Sequence, residues 1–176
     1  MNAKAMLAAF AAAAVVGGAA WGASKEKEAQ QLDSAKVSMT DAIRRAEREA
    51  NGKAVSVDYK AGHKGEGSYA VKVLANDNSK LMGYRIDADT GKIVSAGNEP
   101  VEKVFTRVKP EEIASAQTSL NSAIDEAQRE SGGKATYAAV ERNHDHVRYE
   151  VKLAKDDGST SKVLIDATTG HLASAK

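Results

Sequence analysis

The sequence contains no cysteine. This absence excludes a disulfide framework, a thiolate metal site and a lipid anchor on a cysteine. The chain also has no nucleophile elbow of the form Gly-x-Ser-x-Gly and no glycine-rich phosphate loop. Because no set of residues has the spacing of a catalytic site, we expect neither enzymatic activity nor a bound cofactor.

Long apolar runs are almost lacking, and the one candidate lies at the N-terminus. Residues 5–20 carry no charge and are mostly alanine, after a single Lys4. This pattern predicts a signal peptide over residues 1–23, with cleavage after Ala20 or Gly22 as two options. An uncleaved anchor is the alternative, although a membrane span needs about 20 strongly apolar residues. Export without disulfides suggests a bacterial cell envelope, so we expect a periplasmic or secreted protein.

Neither sign of charge is in excess. The chain has 25 basic and 24 acidic residues, and loss of a signal peptide with its Lys4 leaves 24 of each. A neutral chain has neither the basic footprint of a nucleic-acid-binding protein nor the polybasic patch of a membrane-surface protein. We therefore expect a protein partner, no nucleic acid and no stable membrane insertion after cleavage.

The sequence does contain an internal repeat. Residues 38–54, SMTDAIRRAEREANGKA, match residues 119–135, SLNSAIDEAQRESGGKA, at nine of 17 positions with an offset of 81. The offset falls to 80 at Tyr69 and Tyr149, and to 79 where DADTG matches DATTG. One supersecondary unit is therefore duplicated and fills almost the whole chain after the predicted signal peptide.

Each unit begins with a helical pattern and continues with strand patterns. Ser38 and Ser119 are N-cap candidates before apolar residues at helical spacing. The later residues alternate with a period of two, as in antiparallel strands with one buried face. We expect an α+β fold of two tandem repeats, each with one helix, or two, on a four-stranded antiparallel sheet. The predicted boundaries are 24–98 for the first repeat, 99–112 for an inter-repeat segment and 113–176 for the second repeat.

The segment between the repeats is too apolar for a free tether. It contains Val101, Val104, Phe105 and Val108. Units of about 60–75 residues are small for independent stability. We therefore expect the repeats to pack against each other with this segment in the seam.

The last hairpin of each unit contains a turn that its own side chains can stabilise. An aspartate at the strand end can accept from backbone N–H groups ahead, a threonine adds a hydroxyl, and a glycine supplies a positive φ. The predicted turn residues are Asp87, Thr90 and Gly91, and then Asp166, Thr169 and Gly170. A calcium loop is the alternative, but DADTGK lacks the 12-residue spacing and the final glutamate of such a loop.

Two histidines occupy equivalent positions in the repeats, His63 and His144, and His146 follows the second of them closely. A metal site needs three or four converging ligands, which this spacing does not provide. We interpret these histidines as exposed turn residues, with metal binding as the alternative.

Strand residues that alternate with the core positions are expected to share a sheet face directed away from the helices. The candidate partner residues on this face are Asp58, Lys72, Arg85, Tyr137, Glu150, Lys152 and Lys162. A mixed polar and aromatic face suits a protein partner, and a plain solvated face is the alternative. Addition of a peptide strand to a sheet edge is a second mode of binding.

A helix followed by a meander that closes on YAVKV and YRIDADTGKIV resembles the PepSY domain family. The matching residues are Tyr69, Val71, Asp87, Thr90, Gly91 and Ile93, and then Tyr149, Val151, Asp166, Thr169, Gly170 and Leu172. The resemblance covers about residues 32–96 and 113–175. It implies a two-helix, four-strand layer with no catalytic residues, and a role in binding and restraining hydrolases in the envelope or secretion path.

The resemblance leaves two functions open. One is a protein that binds or inhibits a peptidase or another hydrolase, acting in trans because the chain has no peptidase domain. The alternative is a sensory or scaffold module that binds a peptide or an envelope receptor without inhibiting anything.

Overall fold

The computed structural model describes residues 28–76, 80–100, 108–143 and 146–173. Within these ranges the helices are α1 (28–34), α2 (Met39–Ala50), α3 (Pro110–Ser115) and α4 (Leu120–Ser131). The strands are β1 (Gly52–Lys60), β2 (Ser68–Ala75), β3 (Leu81–Asp87), β4 (Ile93–Glu99), β5 (Lys134–Asn143), β6 (His146–Ala154) and β7 (Thr160–Asp166). Outside the described residues lie the predicted signal peptide, Val101, Val104, Phe105 and His144.

All seven strands form one antiparallel sheet in the order β4-β3-β2-β1-β5-β6-β7. We predicted two four-stranded sheets, and the structure differs in two respects. The repeats share one sheet because β1 pairs with β5 at its centre. In the described part of the second repeat, the fourth strand is reduced to a single bridge between Ile165 and Leu172. Joining the repeats edge to edge removes two open strand edges that separate units would expose.

The longer helices α2 and α4 cover one face of this sheet, so the α+β prediction is confirmed. α2 packs mainly on β1 and β2, while α4 packs on β5, β6 and β7. The buried residues of the two helices are Met39, Ala42, Ile43 and Ala46, and then Leu120, Ala123, Ile124 and Ala127. Their small side chains let each helix lie close to the strands.

The N-terminus of each long helix is capped in the same way. Ser38 Oγ accepts a hydrogen bond from the backbone N–H of Asp41, and Ser119 Oγ accepts one from Ser122, both at 3.1 Å. These bonds satisfy backbone donors that the first helical turn leaves unpaired. None of the helices in the described ranges is long and apolar enough to cross a membrane.

A buried tyrosine fastens each long helix to the sheet. The hydroxyl of Tyr69 donates to the carbonyl oxygen of Val37 at 2.7 Å, and that of Tyr149 donates to Thr118 at the same distance. Burial raises the pKa of both phenols, that of Tyr149 to about 12. Each tyrosine is therefore neutral and holds the backbone just before the N-cap of its helix through one buried hydrogen bond.

A second apolar cluster lies at one end of the opposite sheet face. It consists of Val55, Leu74, Leu81, Val108 and Ile113. Strict alternation would place Val55 with Val57 in the main core, but a bulge between Ala54 and Ser56 turns it to the opposite face. The short helix α3 and Val108, the described apolar residue of the inter-repeat segment, are buried against this cluster.

Candidate functional site

The seven candidate partner residues lie in two neighbouring rows that cross the sheet. The first row runs through paired positions on six strands: Arg85, Ala70, Asp58, Tyr137, Lys152 and Lys162. The second row contains Lys72, Ser56, Ala139 and Glu150. With strands about 4.8 Å apart, the first row spans about 24 Å. We refer to these two rows as the partner face, and the register across the seam between β1 and β5 is what makes them continuous.

On the second repeat, the partner face carries a compact charge cluster. Glu150 accepts from Lys162 at 3.1 Å and lies 3.4 Å from the ammonium of Lys152. Burial alone would raise the pKa of Glu150, but these two lysines outweigh it and hold the pKa below its ordinary value. Lys152 also lies over the ring of Tyr137, 4.6 Å from the centroid, a cation–π arrangement. Lys152 thereby connects the carboxylate of Glu150 to the aromatic ring of Tyr137.

On the first repeat, the charges are more widely spaced. Asp58 pairs with Lys60 at 2.5 Å, and Lys72 pairs with Glu99 at 3.1 Å. Arg85 is exposed and forms no ion pair with any residue of the described ranges. Exposed ion pairs of this kind contribute little to stability, so this half can exchange its internal partners for those of another protein.

Two depressions meet at the seam and share Asp58 and Tyr137. The larger, of about 550 Å³, extends over the second repeat and is lined in part by Lys60, Thr136 and Thr160. The smaller, of about 360 Å³, lies over the small side chains of Ser56, Ala70 and Ala139. Burial, followed by the charges of Glu150 and Asp58, raises the pKa of Tyr137. A neutral phenol at the junction can both fill space and donate a hydrogen bond.

The larger depression arises from a difference between the repeats that sequence matching does not reveal. Its lining includes Thr136, Ala154 and Thr160. The equivalent positions of the first repeat, at offsets of 81, 80 and 79, are Val55, Leu74 and Leu81, on which α3 packs. Smaller and more polar side chains in the second repeat thus leave a depression where the first repeat has an apolar cluster covered by α3. The sequence analysis did not predict that Lys60, Thr136 and Thr160 line this site. The two threonines could have been found from the sequence, because they replace apolar residues at the aligned positions of the first repeat.

The predicted turn residues form local hydrogen-bonded loops. Asp87 Oδ1 accepts from the backbone N–H and from the hydroxyl of Thr90, each at 2.7 Å, and Asp166 Oδ1 accepts from the backbone N–H of Thr169 at 2.8 Å. The side-chain bond from Thr90 lowers the pKa of Asp87, and the backbone bond from Thr169 lowers that of Asp166. The glycines that follow have φ values of 68° and 75°. Both carboxylates are engaged in the hydrogen bonds of the turn, and Asp87 also lines a depression of about 650 Å³ with Arg85 and Ala70 of the partner face.

One histidine, His63, borders the partner face, because it lines the same depression as Arg85 and Ala70. His63 is exposed in a single 3₁₀ turn, His63–Gly65, and His146 is exposed at the start of β6. No group of three or more potential metal-ligating side chains forms within the ranges that the structure describes.

The arrangement on the partner face provides charge pairs, hydroxyls and one aromatic ring, which are groups suited to the recognition of another protein.

The comparison with family models agrees with the duplicated architecture. A family model described as the peptidase propeptide and YPEB domain, PepSY, matches residues 36–96 and 119–175. A solved structure of a candidate lipoprotein from Clostridium difficile 630 has a TM-score of 0.50 at 18% sequence identity, over 85% of this chain and 98% of that one. The YpmB protein from Bacillus subtilis has a TM-score of 0.34 at 20% identity, over 76% of this chain and 91% of that one. No curated protein gives a significant match.

Proposed function

The chain belongs to the PepSY domain family, and we propose that it is an exported, non-enzymatic protein that binds a peptidase or another hydrolase in trans. The family is associated with peptidase propeptides and inhibitor-like roles. Binding through the partner face would block or restrain the hydrolase. The turn residues at Asp87 and Asp166 serve the fold in this proposal, and the predicted signal peptide directs the chain to the envelope.

The observation that carries the proposal is the extent of the partner face that the described residues leave accessible. α2 and α4 occupy the other side of the sheet, α3 packs at the end near Val55, and α1 contributes Glu28 to the border of the larger depression. The remaining surface joins a central ring, Tyr137, to a rim of charged side chains. An aromatic residue at the centre with polar groups around it is the usual anatomy of a protein interface. The depression beside Tyr137 can receive a protruding side chain of the partner.

Charge reversal on the partner face tests this proposal. The bait is the chain from residue 24, crosslinked in envelope extract and analysed by mass spectrometry. We expect a hydrolase to be enriched, and to be lost with the double variant Arg85→Glu and Lys152→Glu. The matched control is Lys36→Glu with Lys80→Glu, which changes the net charge equally at two exposed positions away from the face. Binding by the control variant should equal that of the unchanged chain.

Turnover separates this function from its alternative, a sensory or scaffold module. The depression of about 550 Å³ could also receive part of a peptide or receptor without any hydrolase being involved. A purified hydrolase that is captured should turn over its substrate more slowly when the chain is added. Capture of a receptor with no change in proteolysis would favour the alternative. Capture that survives the Arg85 and Lys152 reversal would place the interface elsewhere.

A further inference from the structure

The first repeat has an open strand edge outside the partner face. Among the described strands, β4 pairs only with β3 and forms one border of the sheet. Its residues Ile93 and Val94 are 38% and 56% exposed. The strand has no charged or proline residue before Glu99. Edge strands are usually protected by such residues, so β4 is well suited to pair with a further strand.

Three cations line a groove beside this edge. Arg45 and Arg48 of α2 lie across the groove from Lys92 and Ile93, in a space of about 460 Å³ that contains a single carboxylate, Glu49. None of the three cations forms an ion pair with a residue of the described ranges. The groove exists because α2 packs mainly on β1 and β2, so that Ile93 on the helix side of β4 stays 38% exposed among the described residues.

The guanidinium of Arg45 is held close to the turn that precedes β4. A Cβ atom added to Gly91 would lie 2.9 Å from Arg45 Cζ. The positive charge therefore lies directly beside the start of the open strand, where its position is restricted by packing against the backbone.

The second repeat provides an internal comparison at the equivalent positions. Glu126 replaces Arg45 there, Arg129 corresponds to Arg48, and His171 corresponds to Lys92. Glu126 forms an ion pair with Arg129 and lies 3.7 Å from His171 Nδ1. The second repeat thus supplies its own carboxylate at the centre of this cluster. In the first repeat the same position is an arginine, so that Glu49 is the one carboxylate of the described residues lining the groove beside three cations, and a further carboxylate from another protein would improve the charge balance.

We propose that β4 accepts an extended, acidic segment of another protein as an additional strand of the sheet. Alternate side chains of that segment would lie on the helix side, next to Ile93 and facing Arg45, Arg48 and Lys92. Carboxylates at those alternate positions would form charge-assisted hydrogen bonds with the cations. The site is independent of the partner face, since Arg85 and Lys152 point to the other side of the sheet.

A synthetic peptide of about ten residues in which glutamate alternates with valine is a suitable probe. Its binding to the chain from residue 24 is measured by fluorescence anisotropy at low salt, beside a peptide with glutamine at every glutamate position. We expect the glutamine peptide to bind at least about tenfold more weakly. Amide hydrogen exchange should slow on binding in residues 93–99 and not along β7.

The variant Arg45→Glu places a glutamate where the second repeat has Glu126. The fold is therefore expected to tolerate this substitution. We expect it to weaken binding of the glutamate peptide by about tenfold or more. The matched control is Arg44→Glu, on the same helix but paired with Asp41 and outside the groove; its affinity should stay within about twofold. Thermal unfolding of both variants verifies that they are folded.

Several outcomes would overturn this proposal. Equal binding of the glutamate and glutamine peptides, or equal loss in the Arg44 and Arg45 variants, would show that no specific carboxylate site exists. Exchange protection outside residues 93–99 would exclude strand addition to β4. Sedimentation that shows dimers of the chain, with β4 protected in the dimer, would mean that a second copy occupies the edge. Absence of peptide binding up to about 1 mM would also reject the proposal.

Discussion

Val57 of β1 stands directly opposite Ala138 of β5 at the middle of the sheet, and both residues are fully buried. They form the central pair of the short contact that turns two repeats into one sheet. Buried residues from both repeats belong to the same apolar cluster around this pair. The seam between β1 and β5 is therefore a continuous part of one core and not an interface between two independently folded domains.

Two equivalent lysines join the repeats at the ends of the seam. Lys53 Nζ lies 2.6 Å from the carbonyl oxygen of Ala114, in the short helix of the second repeat. Lys134, 81 residues later, pairs at 2.7 Å with Asp33 in the short helix of the first repeat. Each repeat thus holds the short helix of the other, which makes the two halves mutually dependent.

Fragments that separate the repeats should be much less stable than the whole chain. We expect residues 24–98 and 113–176, produced apart, to melt at least about 10 °C below the intact protein or to remain unfolded, because each loses the shared core and exposes a central strand edge. Circular dichroism during heating measures this. Fragments with the melting temperature of the intact chain would show that the seam contributes nothing.

The buried tyrosines give a prediction with an internal control. Tyr69→Phe and Tyr149→Phe should each destabilise the fold by about 1–2 kcal/mol, because a carbonyl oxygen loses its hydrogen bond from the phenol. Tyr59 is equally buried, but its hydroxyl has no hydrogen-bond partner in the described ranges. Tyr59→Phe should therefore be neutral or stabilising. Urea unfolding of the three variants measures the differences, and equal losses for all three would contradict the assignment.

The duplication predicted the order of helices and strands because helix caps, helical spacing and alternation are local features. It could not predict that β1 pairs with β5, since alternation shows which face of a strand is buried and not which strand lies beside it. Ile93 illustrates the same limit. Its place in the alternation is inward, but α2 packs mainly on β1 and β2, and the side chain is 38% exposed.

The candidate surfaces depend on differences between the repeats, whereas the sequence argument rested on their identities. Thr136 lines an open depression in the second repeat, whereas Val55, at the equivalent position of the first repeat, is buried in the apolar cluster under α3. Arg45 gives the groove of the first repeat an excess of cations, whereas Glu126 supplies a carboxylate at the equivalent position of the second repeat. Both contrasts are visible in the aligned sequences, but their meaning depends on the contacts that α3 and β4 make in three dimensions.

Acid should destabilise the protein partly through the two turn aspartates. Hydrogen bonding lowers the pKa of Asp87 and of Asp166 below the ordinary value of 3.8. Because the folded-state pKa lies below that of the unfolded chain, this stabilisation is complete above 3.8 and is lost as the pH falls through the lowered values. The double variant Asp87→Asn with Asp166→Asn should lose less stability between about pH 5 and pH 2. Melting curves across this range test it, and parallel pH profiles for the variant and the unchanged chain would exclude the contribution.

The start of β1 should tolerate no side chain at Gly52. An added Cβ would lie 2.1 Å from the carbonyl oxygen of Leu74 on the neighbouring strand, so the strands would have to separate where they pair. We expect Gly52→Ala to destabilise the fold by about 2–4 kcal/mol, measured by urea unfolding. Gly97 in β4 is the matched control, since its added Cβ would meet nothing within 4 Å and its φ is not positive. Gly97→Ala should therefore be neutral or slightly stabilising, because alanine restricts the unfolded chain more than glycine does. If both substitutions lowered the free energy of unfolding equally, the loss would be a general effect of replacing a strand glycine. It would then not result from the close approach of β1 to β2.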